Sequence, residues 1–195
     1  MREAGHIINN GGVVVFPTRS VYGLAADAYH AAAVNRIFTI KKRPKSKALL
    51  VLIDGRQDLD RLVSRIPLTA QGIMTNFWPG KVTIVFEALP TLPQELTAGT
   101  GRIGVRLPGH PVAAALVREA GGPITGTSAN TSGNPAVSSI AELDADVVKM
   151  ADLILDAGKL LGGTGSTVID VSIDPPEILR EGALSARELS ESTFR

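Results

Sequence analysis

The hydrophobic positions of this chain alternate between two periodicities. Residues 13–16 and 48–53 are short continuous apolar runs, which are typical of strands buried on both faces of a sheet. Residues 31–42 and 110–120 instead repeat their apolar positions at helical spacing, and Pro44 ends the first of these helices. The alternation of strand-like and helix-like segments predicts an α/β fold.

The remaining predicted elements extend this alternation to the whole chain. We predict further strands at 81–87, 102–107, 123–126, 153–156, 167–171 and 177–180, and helices at 1–10, 59–64, 68–77, 139–150 and 185–188. Loops are expected at 17–23 and 89–101. No internal repeat or flexible linker interrupts this order. The pattern predicts one domain over residues 1–195, with a mixed, twisted sheet.

Composition narrows the class of protein. The 195 residues are 44% hydrophobic and 20% charged, with a net charge of +1, which is typical of a compact globular domain. Any attraction to nucleic acid must therefore come from a local patch. The chain has no cysteine, which excludes disulfides and thiolate metal sites. Neither a signal peptide nor a run of ~20 apolar residues is present, so we expect a cytoplasmic protein.

Glycine-rich segments give one weak candidate for anion binding. Residues 99–104 spell GxGxxG, but they precede a strand, which is the reverse of the dinucleotide-binding context. No Walker A sequence is present. Residues 162–167, Gly-Gly-Thr-Gly-Ser-Thr, have the flexibility and the hydroxyls to converge on an anion, although a plain turn is the commoner origin of such a segment.

Basic residues cluster in one run and recur singly elsewhere. Residues 41–47 carry five cations, which either form a solvated helix end or lean over the edge of the sheet toward a ligand. Arg106 lies among apolar residues at a strand end, where its charge is either paired with a carboxylate or reserved for an anionic ligand. For the basic run and for Arg106, the structural interpretation and the ligand-binding interpretation both stay open.

The small polar residues and the histidines give weaker evidence for a functional site. Residues 128–135 are rich in Ser, Thr and Asn, which is also the composition of an ordinary turn. His6, His30 and His110 lack the spacing of metal ligands, and no GxSxG motif is present. Brought together by the fold, however, the basic and hydroxyl residues would line one cationic pocket suited to a nucleotide. These residues are Lys41, Arg43, Lys47, Arg106, Ser128, Asn130, Ser166 and Arg180.

Taken in order, these stretches resemble the YrdC-like family, whose best-known members are threonylcarbamoyl-AMP synthases. The resemblance spans nearly the whole chain, and the order and spacing of its motifs make it specific. The motifs are residues 16–24, Lys41-x-Arg43-Pro44 with Lys47, residues 78–80 with Thr83, residues 105–108, residues 128–130 with Ser132-Gly133, residues 166–170 and residues 178–182.

The resemblance implies an open α/β fold with a twisted mixed sheet, flanking helices and a large basic cavity that binds ATP and threonine side by side, with Mg2+ accompanying the nucleotide. It implies an enzyme, a nucleotidyltransferase that joins L-threonine, bicarbonate or CO2, and ATP into threonylcarbamoyl-AMP and releases pyrophosphate. Partner proteins would then transfer the threonylcarbamoyl group to tRNA, to form threonylcarbamoyladenosine. Weak contact with tRNA itself is compatible with the basic run.

The resemblance also implies roles for individual residues. Those implied around ATP are Lys41, Arg43, Lys47, Ser128, Asn130 and Arg180, of which Lys41, Arg43, Ser128 and Asn130 would be catalytic. Those implied around threonine are Ser20, Arg106, Gly126 and Ser166. No protein metal ligand is implied, and no residue is singled out as a general base for the incoming amine.

Two departures from the family pattern concern the choice of amino acid. Arg19-Ser20 stands where an acidic residue and threonine are often found, and Leu52 stands where longer relatives often have a histidine. Two other functions also remain open. One is a carbamoyl-adenylating relative from hydrogenase maturation, although those chains are much longer. The other is a double-stranded RNA or tRNA binding module without adenylation activity, which should show a broader basic face than this chain offers.

Overall fold

The structure is a computed structural model that describes residues 1–193, except for the side chains of residues 190–193. The helices are α1 (Arg2–Asn9), α2 (Ala31–Lys41), α3 (Leu68–Phe77), α4 (Gln94–Thr97), α5 (Pro111–Ala120), α6 (Ala145–Met150) and α7 (Ala186–Thr193), with 3-10 turns at Arg56–Arg61 and Ile140–Glu142. The strands are β1 (Val14–Pro17), β2 (Tyr22–Ala25), β3 (Leu50–Leu52), β4 (Val82–Glu87), β5 (Arg102–Arg106), β6 (Ile124–Thr125), β7 (Thr127–Ser128), β8 (Leu153–Ile154), β9 (Thr167–Asp170) and β10 (Glu177–Arg180).

The α/β class predicted from the sequence is confirmed, but the strands form two sheets where one was expected. The small sheet has the strand order β7-β2-β1-β8, and the large sheet has the order β10-β9-β4-β5-β3-β6. Both sheets are mixed, because β1 runs parallel to β8, β4 to β9 and β3 to β5, while the other pairs are antiparallel.

One short segment belongs to both sheets. β6 pairs with β3 in the large sheet, and β7, one residue later, pairs with β2 in the small sheet. Gly126 is the residue between them, and its N–H donates to the carbonyl of Leu50 at 2.9 Å. A Cβ at this position would lie 2.7 Å from Cγ of Leu52, so only glycine fits here without displacing β3. This junction holds the two sheets side by side.

The expected loop at 17–23 is in part a hairpin. Thr18 closes a tight turn by donating from its N–H and Oγ1 to the carbonyl of Val21, and β2 then pairs antiparallel with β1. The sequence predicts Gly23 in a loop, but the residue lies within β2, where a Cβ would be 2.9 Å from the ring of Phe16. Glycine is therefore needed for close packing across the pair.

The helix predicted at 139–150 is divided, and the loop predicted at 89–101 contains α4. Ser139 and Glu142 form the expected capping box, but it caps only a 3-10 turn. Leu143 and Asp144 then adopt extended backbone angles before α6 begins. The carboxylate of Asp144 accepts from the N–H of Thr131 at 2.9 Å, and this tertiary bond competes with a continuous helix.

The two faces of the large sheet have different environments. Ile84, Ile103 and Val105 lie on one face and are buried in the main hydrophobic core, which also receives side chains of α2 and α3. A second apolar cluster joins α1 and α5 to β1. The opposite face of the large sheet is left to line a cavity. Within residues 1–193, no helix is long and apolar enough to cross a membrane.

We predict that Gly126→Ala lowers the free energy of unfolding by about 1–3 kcal/mol, because the new methyl group overlaps the side chains of Leu50 and Leu52. Urea unfolding followed by circular dichroism measures the change. Gly122→Ala is the matched control, since a Cβ there meets nothing within 4 Å. Equal stability of the two variants would contradict the close approach at Gly126.

Candidate active site

Residues of both sheets enclose one cavity of about 1000 Å³. Its floor is one face of the large sheet, because alternate residues of four strands point into it. The small sheet and the segments before β2 and β9 provide the other sides. The floor residues are Leu50 and Leu52 of β3, Thr83 and Val85 of β4, Arg102, Gly104 and Arg106 of β5, and Val168 and Asp170 of β9.

Basic side chains outnumber acidic ones on the cavity lining. The acidic residue Asp170 is fully buried, and its Oδ2 accepts from a guanidinium nitrogen of Arg102 at 2.9 Å. Its Oδ1 accepts from the N–H and Oγ of Ser172 at 2.8 and 2.6 Å. This carboxylate is therefore neutralised within the protein. The basic lining residues are Arg19, Arg43, Lys81, Arg102, Arg106 and Arg180.

Arg106 has a guanidinium group whose hydrogen bonds within the protein are incomplete. Its Nε is buried without a hydrogen-bond partner, and none of the salt bridges found among residues 1–193 involves it. Burial lowers the pKa of its guanidinium, and the positive charge of Arg180 lowers it further. Among the described side chains no carboxylate pairs with Arg106, and this favours the alternative of an anionic ligand.

Hydroxyl and backbone groups stand beside this guanidinium pair. Oγ of Ser166 and Oγ1 of Thr83 are 2.7 Å apart, and both side chains are almost fully buried. A terminal nitrogen of Arg180 donates to the carbonyl of Ser166 at 2.8 Å. This bond connects β10 to the segment before β9 and fixes the guanidinium of Arg180 at the cavity lining.

Lys41 lies behind the cavity lining and organises it. The residue is 2% exposed, and its Nζ donates to the carbonyls of Ser128 and Asn130, the latter at 2.7 Å, and to Oδ1 of Asn130 at 3.3 Å. Its own carbonyl accepts from the N–H of Ser132 at 2.7 Å. All three donors of the ammonium group are thus used within the protein. Lys41 and Asn130 do not line the cavity, whereas Ser128 does.

The environment of Lys41 disfavours the charged form of its side chain. Burial, together with the neighbouring positive charge of Arg43, lowers the pKa of Lys41 from 10.5 to about 8, and the carboxylate of Asp144 opposes the shift. Oδ1 of Asn130 also accepts from Oγ of Ser128, so one amide oxygen joins both side chains. The buried ammonium group of Lys41 is therefore bonded directly to two residues of the segment 128–132.

Residues of the basic run after α2 differ in position, because one lines the cavity and others are exposed to solvent. Arg43 lines the cavity, and its Nε and a terminal nitrogen donate to the carbonyls of Lys47 at 2.9 Å and Ala48 at 2.7 Å. Burial lowers the pKa of its guanidinium. Lys47 is exposed and does not line the cavity, although its carbonyl holds Arg43 in place.

The glycine run forms part of the cavity lining. The N–H of Gly162 donates to the carbonyl of Ser20 at 2.9 Å, which holds the run against the turn before β2. Gly162 and Gly163 have φ values of 71° and 101°, which glycine adopts without strain. Ser20, residues 163–165 and Gly126 all line the cavity. The turn interpretation and the ligand interpretation of this run are therefore compatible.

Most of the residues singled out from the sequence converge on this cavity. Ser20, Arg43, Arg106, Gly126, Ser128, Ser166 and Arg180 line it, while Lys41 and Asn130 support Ser128 from behind. Sequence reasoning missed Lys81, Arg102 and His110 as lining residues. Alternation along β5 carried a signal for Arg102, because Arg102, Gly104 and Arg106 share one face of the strand. No such periodic signal marked His110.

The structure is that of a mixed α/β protein with a cavity between two sheets, and several basic residues line this cavity. The family model Sua5_yciO_yrdC, described as telomere recombination, matches residues 6–182. The chain therefore belongs to the Sua5/YciO/YrdC family.

Known members of the family resemble the chain over nearly its full length. A threonylcarbamoyl-AMP synthase of Pyrococcus abyssi is 37% identical over 98% of this chain, and one of Bacillus subtilis is 36% identical over 96%. The crystal structure of P. abyssi Sua5 complexed with L-threonine matches with a TM-score of 0.93, at 37% identity and over 98% of this chain. The chain spans 56% of the P. abyssi proteins and 54% of the B. subtilis protein.

We predict that Lys41→Met removes a pH dependence of stability. The pKa of Lys41 in the folded protein, about 8, lies below the ordinary lysine value of 10.5, so the unfolded chain binds more protons between these values. The contribution of Lys41 to the free energy of unfolding should therefore rise with pH over this window, by ~3 kcal/mol in total. Urea unfolding of wild type and variant at several pH values between 7.5 and 10.5 measures the difference.

Lys42→Met is the matched control for this experiment. Lys42 is the next residue, and its Nζ is exposed and paired with Asp146 at 2.8 Å. We expect its pH dependence to follow that of the wild type. Parallel curves for wild type and Lys41→Met would contradict the lowered pKa of Lys41.

Proposed function

We propose that this chain is an L-threonylcarbamoyladenylate synthase, an ATP-dependent nucleotidyltransferase. The observation that carries the proposal is the cavity, in which unneutralised guanidinium groups, hydroxyls and a glycine run from distant parts of the chain converge. Its volume of about 1000 Å³ is at the upper end of ligand pockets, as two substrates bound side by side require. Synthase names among the relatives, and a Sua5 complex with L-threonine, support the same reaction.

The nucleotide would lie against Arg43, Ser128 and Arg180. The two guanidinium groups suit phosphate oxygens, and the Ser128 hydroxyl adds a neutral donor once it leaves Asn130. Lys47 would add charge from the exposed loop. Lys41 and Asn130 would act by holding Ser128, since the ammonium group of Lys41 is already bonded to the segment 128–130.

Threonine would lie beside Arg106. The carboxylate of the amino acid is the anion that would satisfy the buried guanidinium, whose Nε has no partner. Ser166, Ser20 and the backbone at Gly126 line the same cavity and would contact the amino and hydroxyl groups. The apolar side chain of Leu52 would meet the threonine methyl group.

The reaction needs placement and charge rather than a protein nucleophile. The amine of threonine attacks the carbon of CO2 and loses a proton, forming a carbamate. A carbamate oxygen then attacks the α-phosphorus of ATP, the bond to the bridging oxygen breaks, and pyrophosphate leaves with that oxygen. Arg43 and Arg180 would stabilise the negative charge of this step, and the cavity would hold the reacting groups together.

Mg2+ would have to come with the nucleotide. Among the described residues, no group of three or more His, Cys, Asp or Glu side chains is arranged to hold a metal ion. Asp170, the acidic residue of the lining, is already bonded to Arg102 and Ser172. These residues do not fit a metal held by the protein, and we assign no step to one. Mg2+ bound mainly through substrate phosphates remains chemically reasonable.

The product is a mixed anhydride that another protein would use. Threonylcarbamoyl-AMP would serve as the donor for threonylcarbamoyladenosine formation in tRNA, through partner proteins that transfer the group. The exposed basic loop after α2 offers a small surface for weak contact with tRNA.

We expect the chain to release pyrophosphate and form the adenylate when incubated with ATP, bicarbonate and Mg2+ together with L-threonine. Other amino acids should give little product, with L-serine, which lacks the methyl group, as the most informative comparison. Pyrophosphate is followed by a coupled assay, and the adenylate by mass spectrometry. Absence of product with every amino acid would reject the proposed function. Retention of tRNA in a salt-dependent manner would then favour an RNA-binding module.

We predict that Arg43→Ala lowers kcat/KM for ATP by roughly 30- to 1000-fold, the equivalent of ~2–4 kcal/mol of transition-state stabilisation. Steady-state pyrophosphate release measures the effect, and circular dichroism checks that the fold is retained. Lys45→Ala is the control, since Lys45 belongs to the same basic run but is exposed and does not line the cavity. Unchanged turnover in Arg43→Ala would remove Arg43 from the site.

A further inference from the structure

His110 differs from the other two histidines of the chain. His6 is bonded through Nε2 to the side chain of Asn10 at 3.0 Å. His30 caps α2, because its Nδ1 accepts from the N–H of Ala33 at 3.2 Å. His110 occupies the corresponding position before α5 but makes no capping bond, and its Nδ1 is buried without a partner. His110 is one of the residues that line the cavity.

The backbone holds His110 firmly in this position. Its carbonyl accepts from the N–H of Ala114 at 2.9 Å, and α5 begins at the next residue. On the other side, the N–H of Gly80 donates to the carbonyl of Leu107 at 2.9 Å. Gly109 approaches Gly80 so closely that a Cβ would lie 3.0 Å from its Cα. The segment from Arg106 to His110 is thus fixed between β5 and α5.

The surroundings keep the imidazole neutral. Burial lowers the pKa of His110. The charged side chains that line the cavity on neighbouring elements are cationic, namely Lys81, Arg106 and Arg180, while the carboxylate of Asp170 is bonded to Arg102. None of these groups favours an imidazolium ion. A neutral imidazole has one nitrogen that donates and one that accepts.

The two ring nitrogens of His110 are not equivalent. Nδ1 is buried just before α5 and has no hydrogen-bond partner, so a ligand in the cavity would contact the imidazole through Nε2. Donation to an anion requires the tautomer that carries the proton on Nε2.

We propose that His110 is a further substrate-contacting residue, whose Nε2–H donates to an oxygen of the carbon dioxide-derived group, as bicarbonate or carbamate. This inference rests on the proposed function. The triphosphate has Arg43 and Arg180, and the amino acid carboxylate has Arg106, which lies four residues before His110 on the same fixed segment. The group added to the amine has no guanidinium partner in this assignment. A neutral imidazole suits it, because Nε2–H can donate to this oxygen without adding another positive charge to a cavity already lined by cations.

Three substitutions at His110 separate this contact from a structural role. His110→Gln keeps an amide N–H near the position of Nε2, His110→Asn places its amide near Nδ1, and His110→Leu removes the polar atoms. We expect the KM for bicarbonate, measured in CO2-depleted buffer, to rise by about tenfold in the Asn and Leu variants, as expected for loss of one neutral hydrogen bond. It should stay within about threefold of wild type in the Gln variant. The KM values for ATP and threonine should change much less.

His6→Gln is the matched control, because His6 lies on α1 and does not line the cavity. Unchanged KM for bicarbonate in both the Asn and Leu variants of an active enzyme would overturn the proposal. Equal rises in all three KM values would also overturn it, since they would indicate a general disturbance. If the Leu variant fails to fold, the KM for bicarbonate of the Asn variant, compared with that of the Gln variant, still tests the proposal.

Long-range 1H–15N correlation spectra of the wild type provide a readout that does not require activity. We expect the Nε2–H tautomer of His110 at neutral pH, and a shift of Nε2 when bicarbonate is added with threonine and a non-hydrolysable ATP analogue. The Nδ1–H tautomer, or the absence of a shift, would contradict the contact. If the wild type forms no adenylate, the proposed function fails, and these spectra alone judge whether His110 binds bicarbonate.

Discussion

The period-two alternation of the large sheet is the constraint on which the site depends. Along β5, Ile103 and Val105 are buried in the hydrophobic core, so Arg102, Gly104 and Arg106 must point to the opposite face. The same alternation applies to β3, β4 and β9. Burying one face thus delivers alternate side chains of four strands to a single cavity. A shift of one residue in register would exchange the core and the site.

The electrostatics of the cavity follow from which charges the protein leaves unpaired. Arg102 is neutralised by Asp170, and it therefore contributes more to the architecture than to any ligand. Arg106 has no such partner, and Arg180 lies close enough to lower its pKa. Two nearby guanidinium groups repel each other in an enclosed space. An anionic ligand would relieve this repulsion.

Two cations at the cavity also form hydrogen bonds to the protein backbone. The ammonium group of Lys41 is bonded to Ser128 and Asn130, and the guanidinium of Arg43 is bonded to the carbonyls of Lys47 and Ala48. Lys41 and Arg43, which the sequence suggests as phosphate-binding residues, therefore also stabilise the local backbone through hydrogen bonds. Their burial lowers their pKa values, and the hydrogen bonds compensate for part of the lost hydration.

Local patterns in the sequence were sufficient for the α/β class, for most helices and strands, and for the motifs that mark the family. The helix Leu68–Phe77 and the strand Glu177–Arg180 were predicted with the bounds observed, because periodicity and flanking prolines act within a few residues. The unusual position of Arg106 was also visible in the sequence, because this charged residue stands among apolar neighbours. These features depend on residues that are adjacent in the chain.

The division into two sheets, the buried position of Lys41 and the place of His110 in the cavity became evident only from the packed chain. Each depends on groups far apart in sequence, such as Lys41 and Ser128, or β6 and β3. Periodicity reports which face of an element is buried, but it does not report which other element covers that face. Proximity across the fold comes from the packing of whole elements, and hydrogen-bond partners follow from that proximity.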